Sequence, residues 1–154
     1  MIRPALPKDS NAVAAILIAS RLTYLPYAPS AHSEEHIRDW VESKLIPGGR
    51  VLVWEEGREI VAMVATSEEA GCGWLDQLYV MPGWTSRGIG SRLLRHAHGL
   101  LSRPIRLYTF QQNIGARRFY EANGYKAIVF SDGQENEEKC PDVLYELTAC
   151  GTAA

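Results

Sequence analysis

Hydrophobic positions between residues 12 and 45 recur with the spacing of two amphipathic helices. The first helix is expected to begin near Ala12, and one of Asp9, Ser10 and Asn11 is expected to cap it. The stretch YLPYAPSAH breaks this pattern with two prolines, and Ser33 with the two following glutamates restarts a helix that ends at PGG. The predicted buried faces comprise Val13, Ile16, Leu17 and Leu22 in the first helix and Ile37, Trp40, Val41 and Leu45 in the second.

Apolar and β-branched runs predict seven strands in the rest of the chain: MIRPAL, RVLVWEE, EIVAMVATSEE, GWLDQLYVMP, IRLYTF, YKAIVFS and DVLYELTA. Gly57-Arg58 between the second and third strands indicates a hairpin. Two further helices are predicted, and NIGARRFYEANG is expected to end at Gly124. The other carries Ile89, Leu93, Leu94, Ala97 and Leu101 on one side. The order β-α-α-β-β-β-α-β-α-β-β predicts one mixed α/β domain over residues 1–154, with an ordered core of about residues 1–148.

The composition limits the classes of partner. The chain carries a net charge of −2 and has no long basic block, which argues against nucleic acid as the main partner. No apolar run approaches the roughly 20 residues that cross a bilayer, and MIRPALPKDS lacks the apolar core of a signal peptide, so no membrane is expected. Cys72, Cys140 and Cys150 are widely spaced and odd in number, which favours a reducing cytoplasm over a disulfide framework or a zinc site.

The segment PGWTSRGIGSRLL places two glycines one residue apart where a strand becomes a helix. A helix N-terminus offers unpaired N–H groups and a positive dipole end, and glycines let an anion approach the main chain. Arg87 and Ser91 are expected to add donors. On the glycines alone, a plain tight turn is an equal alternative. The segment is neither a P-loop, since no Lys is near, nor a dinucleotide fingerprint, since Leu93 stands where a third glycine belongs.

The turn resembles the acyl-CoA pyrophosphate loop of the GNAT superfamily of N-acetyltransferases, where a strand ending in V-x-P precedes [Q/R]-x-x-G-x-[G/A]. Here LYVMP precedes TSRGIG, so Gly88 and Gly90 match and Thr85 stands where Gln or Arg is usual. NIGARRFYEANGYKAI is similar to a second family segment, N-x-x-A-x-x-[F/L]-Y-x-x-x-G-F, with Tyr125 in place of Phe. The matching residues of the second segment are Asn113, Ala116, Phe119, Tyr120 and Gly124.

The resemblance implies a GNAT-like fold whose central sheet splays open, and acetyl-CoA as co-substrate with no metal. The pantetheine arm is then expected along the main chain of Leu78, Tyr79 and Val80, and the diphosphate at the turn. Because side chains alternate along a strand, Leu78 and Val80 are expected on one face and Tyr79 on the other. The other expected coenzyme contacts are Thr85, Ser86, Arg87, Gly88, Ile89, Gly90, Ser91, Asn113 and Ala116.

By the same resemblance, Tyr120 is expected near the thioester sulfur as the general acid that protonates the departing thiolate. A half-buried helix aromatic is the alternative for Tyr120, and a plain N-cap is the alternative for Asn113. Asp76 is the first candidate for the base that takes the amine proton, because bases of this family often come from this strand. Weaker candidates are Glu68, Glu69 and His32, and a water chain with no single base is also workable.

The resemblance also places the acceptor pocket at the loops TYLPYAPSAHSEEH and SDGQENEEKCPD, one apolar and one acidic. A small-molecule or peptide amine is therefore the expected acceptor. His32 and His36 have an i, i+4 spacing that also suits a metal, but with no third ligand a helix surface is favoured. The alternative function is a non-catalytic acyl-CoA-binding sensor or interaction module. Family members are often dimers, so a homodimer is an implied assembly.

Overall fold

The computed structural model describes residues 1–26 and 32–148, so part of the proline-containing stretch and Cys150 lie outside the described residues. The strands are β1 (Ile2–Pro4), β2 (Val51–Glu56), β3 (Glu59–Glu69), β4 (Cys72–Val80), β5 (Ile105–Phe110), β6 (Lys126–Ser131) and β7 (Asp142–Leu147). The α-helices are α1 (Ser10–Tyr24), α2 (Glu34–Trp40), α3 (Ile89–His98) and α4 (Ile114–Ala122). The predicted order of elements is confirmed. None of the described helices is long and apolar enough to cross a membrane.

The start of α1 differs from the prediction that Asp9, Ser10 or Asn11 caps it. A 3₁₀ turn over Pro7–Asp9 leads directly into α1, and no side chain caps the helix. The Asp9 carboxylate instead accepts hydrogen bonds from Arg3 Nη1 at 2.7 Å and from the Leu6 N–H at 2.7 Å. The predicted side-chain cap is therefore wrong, because Arg3 and the Leu6 N–H, which precede the helix, hold the Asp9 carboxylate away from the first turn of α1.

Two positions assigned to buried helix faces are exposed. Leu22 keeps 71% of its surface exposed, because it lies off the stripe that a 3.6-residue period places against the sheet. Trp40 is 38% exposed and ends α2 next to a π-helical turn over Val41–Leu45. Ser33 caps α2 as predicted, since its Oγ accepts a main-chain N–H at 3.1 Å.

The sheet opens in its centre. Its strand order is β1-β2-β3-β4-β5-β7-β6, and only β4 and β5 are parallel. These two strands pair only at Gly73 with Ile105 and at Trp74 with Arg106. Beyond that point β4 keeps its pairing with β3, while β5 pairs with β7 along its whole length. The sheet therefore splays between β4 and β5 from Leu75 onward, as predicted.

A β-bulge in β4 sets which side chains face each helical layer. The register between β3 and β4 shifts after Ala65, which leaves Asp76 without a partner across the ladder. Past the bulge, Leu78 and Val80 pack against the buried cluster under α3 and α4, and Tyr79 packs against the cluster under α1. The predicted alternation is confirmed, and β4 presents one face to each side of the sheet.

Candidate active site

The glycine turn adopts left-handed backbone conformations directly before α3. The φ angle is 64° at Ser86 and 82° at Gly88, a region that costs glycine little. The Arg92 N–H donates to the Gly88 carbonyl at 3.1 Å. Among the described residues, no main-chain N–H group from residues 86–91 donates to a protein acceptor. The turn therefore presents a row of available donors at a helix N-terminus, which fits the diphosphate of a coenzyme.

Arg87 packs on the turn itself. Its Cζ lies 4.6 Å from the centroid of the Trp84 ring, and its Nη2 donates to the Gly83 carbonyl at 3.2 Å. Arg87, Gly88 and Ser91 are not among the residues that line the cavity beside the turn. A contact of these three residues with the coenzyme therefore stays a prediction, and Arg87 has a structural role in the turn.

A cavity of about 460 Å³, here called the coenzyme cavity, lies between the open edge of β4 and helices α3 and α4. Nine predicted coenzyme contacts line it: Leu78, Tyr79, Val80, Thr85, Ser86, Ile89, Gly90, Asn113 and Ala116. Trp84, Tyr24 and Leu25 also line it and were not predicted. Phe119 lies in the wall as well, and its place in the matched segment was the signal that marked it. This lining fits a long, largely apolar arm whose anionic end lies at the turn.

Tyr120 forms part of the wall of the coenzyme cavity. It is 8% exposed, and its ring lies against those of Phe119, Tyr125 and Tyr145 at centroid distances of 5.2, 5.6 and 6.4 Å. Burial raises the pKa of its phenol well above the ordinary value, and the nearby phenol of Tyr79 acts in the same direction. The hydroxyl is therefore protonated at neutral pH, which is the state that a proton donor requires.

Asn113 begins α4 and lines the same cavity. Its Oδ1 accepts the Ala116 N–H at 3.2 Å, so the N-cap that was the alternative for Asn113 is present. Because the cap uses only the carbonyl oxygen, the Nδ2 donors remain suited to a ligand. Contact of Asn113 with the coenzyme stays a prediction.

A narrow cleft of about 100 Å³ lies where β4 and β5 separate. Asp76, Tyr79 and Tyr120 line it together with residues 107–110 of β5. Although Asp76 is exposed as a residue, lost hydration of its carboxylate is the largest influence and raises its pKa. A hydrogen bond to Ser67 acts in the opposite direction and is weaker. The cleft thus brings the predicted base and the predicted acid into one opening, while the role of Asp76 stays a prediction.

A third cavity of about 340 Å³, here called the acceptor cavity, lies on the other face of β4. Both loops expected to form the acceptor pocket contribute side chains to it. Its lining residues are Leu17, Arg21, His32, His36, Ile37, Trp40, Gln77, Tyr79, Glu137 and Glu138. Tyr79 lines this cavity, the cleft and the coenzyme cavity, so it lies where all three meet.

One ion pair and one contact between a histidine and a glutamate join the walls of the acceptor cavity. Arg21 Nη2 lies 3.1 Å from Glu138 Oε2, and each side chain is 18% exposed. His32 Nε2 lies 3.1 Å from Glu137 Oε2 at the exposed rim. Burial raises the pKa of the Tyr79 phenol, and the charge of the nearby Arg21 guanidinium acts in the opposite direction. The acidic loop is therefore more than a solvated surface, since one of its carboxylates is anchored to α1.

The weaker base candidates occupy different places. The Glu68 carboxylate accepts the Ser102 N–H at 3.0 Å at the end of β3, and Glu69 follows it there. His32 lies at the acceptor cavity, with its ring centroid 4.5 Å from that of His36. Across the two described stretches, no group of three side chains suited to hold a metal ion is found.

Comparison with known proteins defines the family. The sequence profile described as "Acetyltransferase (GNAT) family" matches residues 17–125. The chain therefore belongs to the GNAT family of acetyltransferases. Within that family it is an acetyl-CoA-dependent acyltransferase, and the donor row, coenzyme cavity and cleft described above fit acetyl-CoA as co-substrate. A search of curated protein sequences found no match.

Solved structures share the fold along nearly the whole chain. A PaiA N-acetyltransferase from Thermoplasma acidophilum in complex with coenzyme A is 22% identical, with a TM-score of 0.75, covering 97% of this chain and 98% of that chain. A GNAT-family acetyltransferase from Bacillus cereus is 18% identical, with a TM-score of 0.75 and 96% coverage of both chains. A ribosomal-protein-alanine N-acetyltransferase from Brucella melitensis is 18% identical, with a TM-score of 0.73, covering 97% and 99%. At these identities the likeness defines the fold alone.

Proposed function

We propose that this protein transfers the acetyl group of acetyl-CoA to the nitrogen of a primary amine. The observation that carries this proposal is the meeting of two cavities through a gap in the sheet. The coenzyme cavity and the acceptor cavity lie on opposite faces of β4, and both reach the cleft lined by Asp76, Tyr79 and Tyr120. Two reactants bound in such a pair of cavities meet only at the cleft, so their approach is directed.

On the coenzyme side, the chain binds mainly through its backbone. The N–H groups of residues 86–91 receive the diphosphate, and the unpaired edge of β4 from Leu78 to Val80 receives the pantetheine arm. The apolar rings of Trp84 and Phe119 cover the arm. Together these contacts place the thioester next to the cleft.

Acetyl transfer forms a C–N bond and breaks the C–S bond of the thioester. The amine nitrogen loses one proton, and the departing thiolate gains one. Tyr120 is the proposed proton donor, because it lines both the coenzyme cavity and the cleft and its phenol is protonated. Asp76 is the proposed acceptor of the amine proton, since its carboxylate lies at the cleft and burial raises its basicity.

The acceptor cavity favours an amine that is attached to an apolar body. Leu17, Ile37 and Trp40 supply an apolar wall, and Glu137 and Glu138 lie on the side of the loop. In water the acceptor is a cation, which the lining attracts because Arg21 offsets only one of its two carboxylates, and the hydrocarbon part of the acceptor then packs against the apolar wall. We therefore propose a hydrophobic primary amine, such as an arylalkylamine, as the acceptor class.

The test is release of coenzyme A thiol from acetyl-CoA in a panel of primary amines that differ in apolar surface. Phenylethylamine and hexylamine are expected to give a higher kcat/KM than ethanolamine and lysine, because only the first two match the apolar wall. Saturable binding of acetyl-CoA in calorimetry with no turnover of any amine would contradict the proposal. That result would favour the acyl-CoA sensor, an alternative that the unusual Thr85 in the turn supports.

A further inference from the structure

We infer that the hydroxyl of Tyr79 holds the acceptor amine at the cleft and that Arg21 positions this hydroxyl. The inference rests on the proposed function and deepens it. The pantetheine arm is expected to use the main chain of Tyr79, whereas the inference assigns a separate role to its side chain.

The first support is the place of Tyr79 in the fold. The bulge at Asp76 directs Tyr79 toward α1, while Leu78 and Val80 point to the coenzyme side. Tyr79 nevertheless lines the acceptor cavity, the cleft and the coenzyme cavity. Its side chain therefore lies at the point where an amine leaves the acceptor cavity to meet the thioester.

The second support is the way the hydroxyl is held. Arg21 projects from α1 into the acceptor cavity that Tyr79 also lines, acts on the Tyr79 phenol through its charge, and pairs with Glu138 at 3.1 Å. Because both side chains of the ion pair are 18% exposed, water competes weakly for them. The positive charge beside the phenol is thus fixed between α1 and the acidic loop on the far side of the cavity.

The chemistry follows from the donors and acceptors present. A guanidinium only donates, so an N–H of Arg21 that bonds to the phenol oxygen would occupy one lone pair and leave the second for an N–H of the amine. Burial keeps the phenol neutral by raising its pKa, although Arg21 acts in the opposite direction. A neutral phenol does not take up the amine proton, so Tyr79 is not the base. Accepting one N–H turns the nitrogen lone pair toward the thioester carbonyl, which is the orientation that the attack requires.

The two tyrosines at the cleft then have separate roles. Tyr120 reaches it from α4 and the coenzyme side, where the thiolate departs. Tyr79 reaches it from the acceptor side, where the amine arrives. Loss of the Tyr79 hydroxyl should therefore change the kinetics of the amine and leave coenzyme binding unchanged.

The experiment is a double-mutant cycle of Tyr79→Phe and Arg21→Lys, assayed with the best amine of the panel. Tyr79→Phe is expected to lower kcat/KM for the amine by about 10- to 30-fold, while the Kd of coenzyme A stays within about twofold. Arg21→Lys is expected to cost about fivefold in the wild-type background and nothing further beside Tyr79→Phe, because it acts through that hydroxyl.

Two outcomes would overturn the inference. One is a Tyr79→Phe enzyme whose amine kcat/KM stays within about twofold of wild type. The other is an Arg21→Lys loss of equal size in both backgrounds, which would show that Arg21 acts independently of Tyr79. Thermal unfolding of each variant identifies a loss of folded protein. Turnover of any amine by the wild-type protein supports the proposed function separately, and its absence would overturn the function and this inference together.

Discussion

The two faces of β4 offer different kinds of contact. On the side of α3 and α4, the donors are main-chain N–H groups of a turn and the unpaired edge of one strand. On the side of α1 and α2, the contacts come from side chains such as Arg21, Trp40 and Glu138, which three separate segments bring together. A backbone site recognises charge and shape that are common to every acyl-CoA. On the acceptor side, the side chains can differ between proteins that use different acceptors. The backbone contacts on the coenzyme side can stay the same.

This difference sorts the expected effects of substitution. A change on the coenzyme side should weaken the reaction of every amine by the same factor, because all amines share the thioester. A change on the acceptor side should alter the ranking of the amines. The groups at the cleft serve both reactants. Substitution of one of these groups should therefore lower kcat with any amine and leave the affinity for the coenzyme unchanged.

The largest effect is expected from Tyr120→Phe. Removing the proposed proton donor should lower kcat by about 10²- to 10³-fold, which is the range for a general acid, with the Kd of coenzyme A nearly unchanged. Single-turnover kinetics with several amines will measure it. The factor should be the same for each amine, because the thiolate is the same leaving group.

Tyr125→Phe is the matched control for Tyr120→Phe. Its phenol is also buried, but it forms a hydrogen bond with His98 at 2.8 Å. Tyr125 lines none of the coenzyme cavity, the cleft and the acceptor cavity. This variant should therefore keep kcat within a few-fold of wild type, even where it lowers the unfolding temperature. If both variants lose kcat equally, the effect comes from packing of the aromatic cluster, and Tyr120 has no acid role.

A smaller effect is expected from Ser86→Asp, which places a charge at the donor row. Asp and Asn both tolerate the positive φ of 64° at this position, so Ser86→Asn controls for shape. The carboxylate should raise the Kd of coenzyme A by about 30- to 100-fold through repulsion of the diphosphate, whereas Ser86→Asn should change it by about threefold or less. Calorimetry at two salt concentrations measures both variants.

The salt dependence decides how the Ser86→Asp result is read. Repulsion between exposed charges weakens as ionic strength rises, so the gap between the two variants should narrow in high salt. Equal Kd values for Asp and Asn in low salt would contradict an anion site at the turn.

The same contrast between the two faces explains what the sequence predicts. The coenzyme side depends on consecutive residues, so Gly88, Gly90 and the strand before them predict the turn and most of the cavity lining. The acceptor side depends on pairs that are remote in sequence. Arg21 and Glu138 are 117 residues apart, and no local pattern indicates that they meet. The loops were predicted to form this pocket, but the anchoring of one loop to α1 was not.

Predictions from neighbouring residues in the sequence also failed where residues distant in sequence decide what a side chain contacts. Asp9 has the residue type and position of a cap, but Arg3 on β1 draws its carboxylate away. Asp76 looks like an ordinary strand residue until the register shift in β4 leaves it unpaired. Arg3 of β1 decides the contacts of Asp9, and the register with β3 decides those of Asp76, so only the folded chain defines the role of each side chain.

Asp76→Asn is expected to have a smaller effect than Tyr120→Phe and Ser86→Asp. It should lower kcat/KM by about tenfold for every amine, because water can partly replace a base that meets a departing proton. The active form of Asp76 is the carboxylate, so the advantage of wild type over the variant should be complete at neutral pH. Because burial raises the pKa of Asp76, this advantage should begin to fall at a higher pH than for an ordinary aspartate.

The ratio of wild-type to Asp76→Asn kcat/KM across pH isolates this titration. Ionisation of the amine affects both enzymes equally and cancels in the ratio, as does any change at the coenzyme turn. A ratio that falls toward one on acidification assigns the proton acceptor to Asp76. A ratio that is constant with pH would mean that the carboxylate only supports the bulge through its bond to Ser67, and water would then carry the proton from the amine.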